Sequence, residues 1–92
     1  MNLLIGLLSL SLYGEPMFNP WYVPSRYDHP FKGRVEVEMN NAPCSGMEGC
    51  TIVGGQHGVC HIYVSPTHKL PIELILRHER AHCNGWPADH PF

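Results

Sequence analysis

Two histidines and a glutamate near the end of this chain have the residue types and spacing of a metal-dependent hydrolytic site. His78 and His82 lie four residues apart, and Glu79 directly follows the first of them. Residues four apart share one face of a helix, so two imidazoles at this spacing can bind one Zn²⁺ ion. The ion lowers the pKa of a bound water, and Glu79 can take the proton of that water and pass it to a leaving amine. The pattern predicts zinc-dependent peptide-bond hydrolysis with Glu79 as the catalytic residue.

This chemistry needs a helix to position it, and residues 71–84 have the clearest helical pattern in the sequence. Pro71 suits a first helical turn, where its missing N–H would be unpaired in any case. Gly85 is typical of the residue that follows a helix. Apolar residues spaced by four and seven positions predict a face packed on a core. They are Ile72, Leu76 and Cys83.

Two further segments alternate as β-strands do. Residues 33–39 predict a half-buried strand, and residues 59–64 predict another, with a short strand at residues 51–53. The side chains expected to face the core are Val35, Val37 and Met39 in the first, and Cys60, Ile62 and Val64 in the second. The fold class predicted is α+β: a small, loop-rich domain whose short sheet packs on one C-terminal helix.

The four cysteines form an even set in a short chain, which indicates two disulfides and an oxidising compartment. Four cysteines allow three pairings. Cys44 and Cys50 bound a tight loop, so a local bridge is favoured there. Cys60 points inward from its strand and Cys83 lies on the apolar stripe of the helix, which favours a bridge between the helix and the sheet.

The N-terminal residues suggest export. Residues 3–12 are apolar but about half as long as a membrane-spanning helix, so residues 1–14 are interpreted as a signal peptide, with a short buried strand or helix as the alternative. Residues 15–34 predict an extended segment rich in proline and aromatic residues, and residues 35–92 the zinc-binding domain. The net charge of −2 gives no reason to expect nucleic acid as a partner. No stable membrane span is expected once the signal is removed, and the location expected is periplasmic or secreted.

Residues 78–85 resemble the zincin metallopeptidases, because H-E-R-A-H-C-N-G matches the first part of the metzincin signature H-E-x-x-H-x-x-G. The resemblance implies that Gly85 turns the chain after the helix and brings in a third zinc ligand. The family pattern places that ligand at Ala88, whereas the candidates here are displaced to Asp89 and His90. His90 is the favoured third ligand. Asp89 is the alternative third ligand, or a residue that hydrogen-bonds a ligand histidine.

The same resemblance carries expectations for the substrate. It implies a zincin-like core without the methionine turn of the metzincins, which would lie beyond Phe92, and a peptide substrate paired along the strand before the helix, residues 59–64. Tyr63 and Trp86 are candidates for lining the substrate pocket, and Tyr63 for stabilising an oxyanion, with packing in the core as the alternative. The string H-E-x-x-H-C-x-G-W-P-x-D-H is also similar to short exported bacterial proteins, which favours a bacterial envelope location.

A second function is compatible with the same residues. Zinc and two disulfides could stabilise a non-catalytic envelope protein that acts as a binding module in a secretion or conjugation assembly, with another envelope protein as its partner. A fourth protein ligand, such as Asp89 joining His90, would close the coordination sphere and favour this structural role. The histidines at positions 57 and 61 are interpreted as solvent-facing and are left out of the site.

Overall fold

The computed structural model describes residues 21–53 and 58–92. The predicted signal peptide, the aromatic residues before Trp21 and His57 therefore lie outside the described residues. The elements within them are the 3₁₀ turn Ser25–Tyr27, strand β1 (Arg34–Met39), the 3₁₀ turn Ala42–Cys44, strand β2 (Gly49–Ile52), strand β3 (Val59–Val64) and helix α1 (Ile72–Cys83). The predicted fold class is confirmed: one helix near the C-terminus packs on a small mixed sheet.

Strand β3 lies in the middle of the sheet. The strand order is β1-β3-β2, with β1 parallel and β2 antiparallel to β3. Strand β3 therefore has no free edge for an added peptide strand, so the expectation that a substrate pairs along residues 59–64 is wrong. The strand with a free edge beside the helix is β2, whose only strand neighbour among the described residues is β3.

The alternation of β3 is confirmed in detail. Cys60, Ile62 and Val64 are at most 1% exposed and face the helix, where Ile75 is completely buried against them. Burying one such isoleucine contributes roughly 1.5–3 kcal/mol, so this contact is a main attachment of helix to sheet. The predicted stripe packs on the same cluster, with Ile72 and Leu76 at its margin.

The predicted buried face of β1 is only partly correct. Val35 packs against the core cluster, but Val37 is 48% and Met39 46% exposed. Helix α1 packs over β2 and β3, and it does not extend across the second half of β1. The alternating pattern predicted the strand correctly, but it could not show how much of the sheet a single helix covers.

Both predicted disulfides are present. Cys44 pairs with Cys50, and Cys60 pairs with Cys83. The second bridge joins the central strand to the last residue of α1. Removing either bond would give the unfolded chain more conformational freedom and so lower the free energy of unfolding. For a loop of the length between Cys60 and Cys83, that loss is about 3 kcal/mol.

The segment before β1 packs along the other side of the helix. Val23 forms a second buried cluster with Ala81 and Trp86. Arg77 binds this segment through a bidentate ion pair with Asp28. The shortest distance of this ion pair is 2.6 Å, between Nη2 of Arg77 and Oδ2 of Asp28. Trp21 of this segment contacts the ring of His78, with centroids 4.2 Å apart, so the segment packs beside the histidines of α1. Within residues 21–53 and 58–92, no helix has the length and apolar character needed to cross a membrane.

Candidate metal centre

Three histidines bring one ring nitrogen each to a common point. The Nε2 atoms of His78 and His82 are 3.3 Å apart, those of His78 and His90 are 3.2 Å apart, and those of His82 and His90 are 3.1 Å apart. These three side chains lie close enough together to bind a metal ion. The structure thus brings together the two helical histidines and the favoured third ligand.

The size of the nitrogen triangle fits a tetrahedral metal ion. In a site with metal–nitrogen bonds of about 2.0–2.1 Å, neighbouring ligand nitrogens lie about 3.3–3.4 Å apart. The observed edges of 3.1–3.3 Å are close to that value. Three nitrogens that face one another at this distance repel through their lone pairs unless a proton or a metal ion lies among them, so the arrangement suits a bound cation.

The turn after the helix explains how the third histidine reaches the site. Asn84 caps α1, and Gly85 adopts φ +103°, a conformation that side-chain-bearing residues rarely adopt. The chain then turns again, with the His90 N–H donating to the Pro87 carbonyl at 3.0 Å. His90 itself adopts φ +59°. A non-glycine residue in the left-handed region is strained, and such strain clusters at functional sites.

Asp89 does not share this position. Its side chain is exposed and lies outside the group of three histidines. Burial and His82 lower the pKa of His90, and the negative charge of Asp89 offsets only part of that lowering. Among the described residues, no fourth histidine, cysteine or carboxylate completes the group, so one side of the nitrogen triangle has no protein ligand.

Hydrogen bonds determine which nitrogen of His82 points at the centre. Its Nδ1 lies 2.7 Å from the carbonyl oxygen of Trp86. A carbonyl oxygen only accepts, so the proton must be on Nδ1 and the lone pair on Nε2. This support of a ligand histidine by a backbone carbonyl is typical of metal sites.

The buried histidine is held neutral. The pKa of His78 is lowered to about 3, first by burial and then by the charges that His82 and His90 would carry if protonated. The Nδ1 atom of His78 is buried and makes no hydrogen bond of standard geometry with the described residues. The backbone of Trp21 nevertheless raises the pKa of this ring and so offsets part of the lowering. Burial and His82 also lower the pKa of His90. Neutral imidazoles are the form that binds metal.

Glu79 lies in the same cleft and is 3% exposed. Its Oε1 is 2.7 Å from the hydroxyl of Thr51 on β2, and that hydroxyl is 3.0 Å from the Glu79 carbonyl oxygen. Burial raises the pKa of Glu79, while the Thr51 bond and His82 act in the opposite direction. The hydroxyl has one proton, and the shorter contact indicates that Thr51 donates it chiefly to the side-chain carboxylate of Glu79.

Gly49 allows β2 to approach the helix this closely. A Cβ at this position would lie 2.9 Å from Cγ2 of Ile75 and 3.0 Å from the carbonyl oxygen of Tyr63. Sequence reasoning placed neither Gly49 nor Thr51 in the site. Their roles depend on how the sheet packs against the helix, and nothing in the residues around them indicates that packing.

The metal-facing side of the helix opens into a cleft of about 860 Å³. The three histidines and Glu79 form one wall, and β2 with the loop before it forms the other. The apolar residues around the cleft are Trp21, Met47, Val53, Trp86 and Ala88. Trp86 lines this cleft and also belongs to a buried core cluster, so its place in a substrate pocket stays a prediction.

Tyr63 lies on the opposite face of the sheet, beside His61 and Glu36. The expectation that Tyr63 lines the pocket or stabilises an oxyanion is therefore wrong, because successive residues of a strand point to opposite faces and Ile62 and Val64 take the helix side. His61 contacts Glu36 at 3.5 Å on this outer face and does not belong to the group of three histidines.

Comparisons with protein-family models, curated proteins and solved structures found no significant match for this chain. The function must therefore be inferred from the geometry of the site.

Proposed function

We propose that this chain is a minimal zinc-dependent peptidase in which His78, His82 and His90 bind the metal and Glu79 is the general base and acid. The observation that carries the proposal is the triangle of three Nε2 atoms with edges of 3.1–3.3 Å, with a buried carboxyl group in the same cleft. Three neutral imidazoles suit zinc better than a hard ion such as magnesium, which prefers oxygen ligands.

Zinc bound here would act as a Lewis acid that lowers the pKa of water and polarises a carbonyl group. Glu79 follows a ligand histidine and faces the cleft, so its carboxylate can accept a proton from water and deliver it to the leaving amine. Burial raises its pKa, which makes the protonated form easier to reach during the reaction. Thr51 holds the carboxyl group in one orientation.

The donor set supports a catalytic role over the structural alternative. A structural zinc site is closed by four protein ligands, whereas a catalytic site leaves one position open. The described residues supply three ligands, and Asp89 does not join them. The three histidines line the cleft, so a substrate carbonyl bound there could take the open position.

Strand β2 supplies the means of holding an extended peptide. The N–H of Ser65 donates to the Glu48 carbonyl at 2.8 Å, which makes this a hydrogen-bonded pair of the β2–β3 ladder. Because such pairs alternate along antiparallel strands, the backbone groups of Gly49 and Thr51 point away from β3. A substrate strand added at this edge would run past Glu79, and Met47 and Val53, each more than half exposed, would offer apolar contacts near its ends.

The two disulfides suggest an oxidising environment outside the cytoplasm. We therefore place the peptidase in the periplasm or outside the cell, with peptides or proteins as substrates.

Replacing Glu79 by glutamine tests the function. Glu79→Gln should bind zinc as the parent does and lose roughly 10²–10⁴-fold in peptide hydrolysis, because the proton acceptor is removed while the ligands remain. Zinc content and cleavage of a peptide library by mass spectrometry are the two measurements. Glu73→Gln, in the exposed first turn of the same helix, is the matched control and should retain activity. Equal cleavage by the parent and Glu79→Gln, or no cleavage by the zinc-loaded parent, would rule out the proposed catalysis.

A further inference from the structure

Trp86 contacts all three histidines at once. Its ring is stacked on that of His82, with centroids 5.0 Å apart and planes 15° apart. It lies edge-on to His78 at 5.0 Å and to His90 at 4.8 Å. The indole is 2% exposed and forms the floor below the nitrogen cluster.

Trp86 makes one hydrogen bond to the ring of His82 and another to the turn that carries His90. Its carbonyl oxygen accepts a hydrogen bond from Nδ1 of His82 at 2.7 Å, which directs the other nitrogen of that ring to the centre. Its indole Nε1–H donates to the carbonyl oxygen of Pro91 at 2.8 Å. Pro91 follows His90, so this bond closes the turn that carries the third ligand.

The third ligand needs such support. His90 is only half-buried, follows the helix by several residues and has a strained φ of +59°. Within the described structure, the ties of this turn are the His90 N–H to the Pro87 carbonyl and the indole of Trp86 to the Pro91 carbonyl. A ligand on a loosely held turn would lose conformational freedom on binding metal, and a turn fixed beforehand avoids most of that cost.

We propose that Trp86 is a positioning residue for the metal centre, which holds His90 in its ligand position before metal binds. It acts through its ring contact with His90 and through its bond to Pro91. The proposal depends on metal binding by the three histidines and does not depend on hydrolysis.

The decisive variant is Trp86→Phe, which keeps an aromatic ring and the backbone carbonyl but removes the indole N–H. Replacing residues that support a ligand histidine typically costs 10–100-fold in metal affinity, and a loss in that range is expected here. The loss should depend on His90. In a His90→Gly background, the same Trp86→Phe change should alter zinc affinity by less than about threefold, because the ligand it positions is absent.

A matched control distinguishes a positioning role for Trp86 from a purely structural role in the core. Val23 is an aliphatic residue of the same buried cluster, where it packs with Ala81 and Trp86. Val23→Ala should lower the thermal stability of the metal-free protein and leave zinc affinity near that of the parent. If zinc affinity instead falls with stability in both variants alike, Trp86 only packs the core and the proposal is wrong.

Zinc affinity would be measured by competition with a chelating dye, and His90 ligation by the ¹⁵N resonance of its Nε2 on metal addition. If Trp86→Phe does not fold, replacing the indole by benzothiophene keeps the bicyclic ring and removes only the N–H. A zinc-binding parent that cleaves no peptide would contradict the proposed function and leave this inference standing. Unchanged affinity in both residue-86 variants, or equal losses with and without His90, would overturn the inference alone.

Discussion

At the scale of single residues, two of the three histidines that lie close enough to bind a metal followed from the sequence, and the third was ambiguous. His78 and His82 are one helical turn apart, and a helix makes that relation local and regular. The third ligand lies beyond the helix, where no periodicity applies, and the family spacing pointed to Ala88. The left-handed turn at His90 brings that ring inward and leaves Asp89 exposed, which only the three-dimensional path of the chain could decide.

Thr51 shows the opposite case, a site residue with no signal in the sequence. A threonine in a short strand is common, and its contact with Glu79 crosses from the sheet to the helix. The sequence therefore pointed to Glu79 but not to Thr51, the residue that contacts its carboxyl group.

Thr51→Val should reduce hydrolysis while leaving zinc affinity unchanged. Valine keeps the shape of the side chain but removes the hydroxyl, so the buried carboxyl group of Glu79 loses its partner, at a cost of about 1–3 kcal/mol in stability. Thr51→Ser retains the hydroxyl and should recover most of the activity. Steady-state cleavage rates and dye-competition titrations check both variants. A valine variant as active as the parent would show that this bond does not orient Glu79.

At the scale of elements, local patterns predicted β1, β3 and the helix, and placed β2 at residues 51–53 where the structure has Gly49–Ile52, but they did not predict how these elements are arranged. The alternation in β3 and the spacing in α1 also predicted the disulfide between them, because two inward-facing cysteines on packed elements can meet. The strand order is a non-local property, and the insertion of β3 between β1 and β2 made the predicted substrate edge wrong. How far the helix covers the sheet is also non-local, so the sequence did not predict that the second half of β1 would be exposed.

Glu48 joins the loop before β2 to the entry of the helix. Its Oε1 accepts the N–H of Lys69 at 2.7 Å and that of Leu70 at 3.0 Å, and these backbone bonds lower its pKa. The folded pKa is below the unfolded value, so the carboxylate contributes stability above the ordinary value of 4.5, and this stability is lost as the pH falls through the folded pKa.

Glu48→Gln should therefore be less stable than the parent near neutral pH, and the difference should shrink as the pH falls below the ordinary value of 4.5 and through the lowered folded pKa. Urea unfolding at several pH values measures this, with Glu73→Gln as the exposed control. A difference that is constant with pH would mean that the charge of Glu48 does not stabilise this junction.

At the scale of the whole molecule, the small core makes the metal centre depend on covalent support. Domains of this size bury a modest fraction of their surface and often need disulfides or metal for stability. Cys83 is the residue after the ligand His82, and its bridge to Cys60 fixes the end of the helix to the central strand. The Cys44–Cys50 bridge closes a shorter loop at the far side of the cleft.

Removing the two bridges separately should have different effects on metal binding. The double variant Cys60→Ala with Cys83→Ala should lose about 3 kcal/mol of stability and bind zinc more weakly, because the helix end that carries His82 is released. Cys44→Ala with Cys50→Ala should lose about 2 kcal/mol and affect zinc affinity less. Urea unfolding and zinc titration give both quantities. Equal zinc affinities in the two double variants would contradict this link between the bridge and the site.

The zinc content of the purified, oxidised protein tests most directly whether the three imidazoles form a metal centre. Plasma emission spectrometry after dialysis should find one zinc ion per chain in the parent and in His61→Ala, a control histidine on the outer face of the sheet. His82→Ala should retain little zinc, because it removes a ligand whose Nε2 lies 3.1 Å and 3.3 Å from those of the other two. Equal zinc in His82→Ala and the parent, or a parent without zinc, would contradict the account.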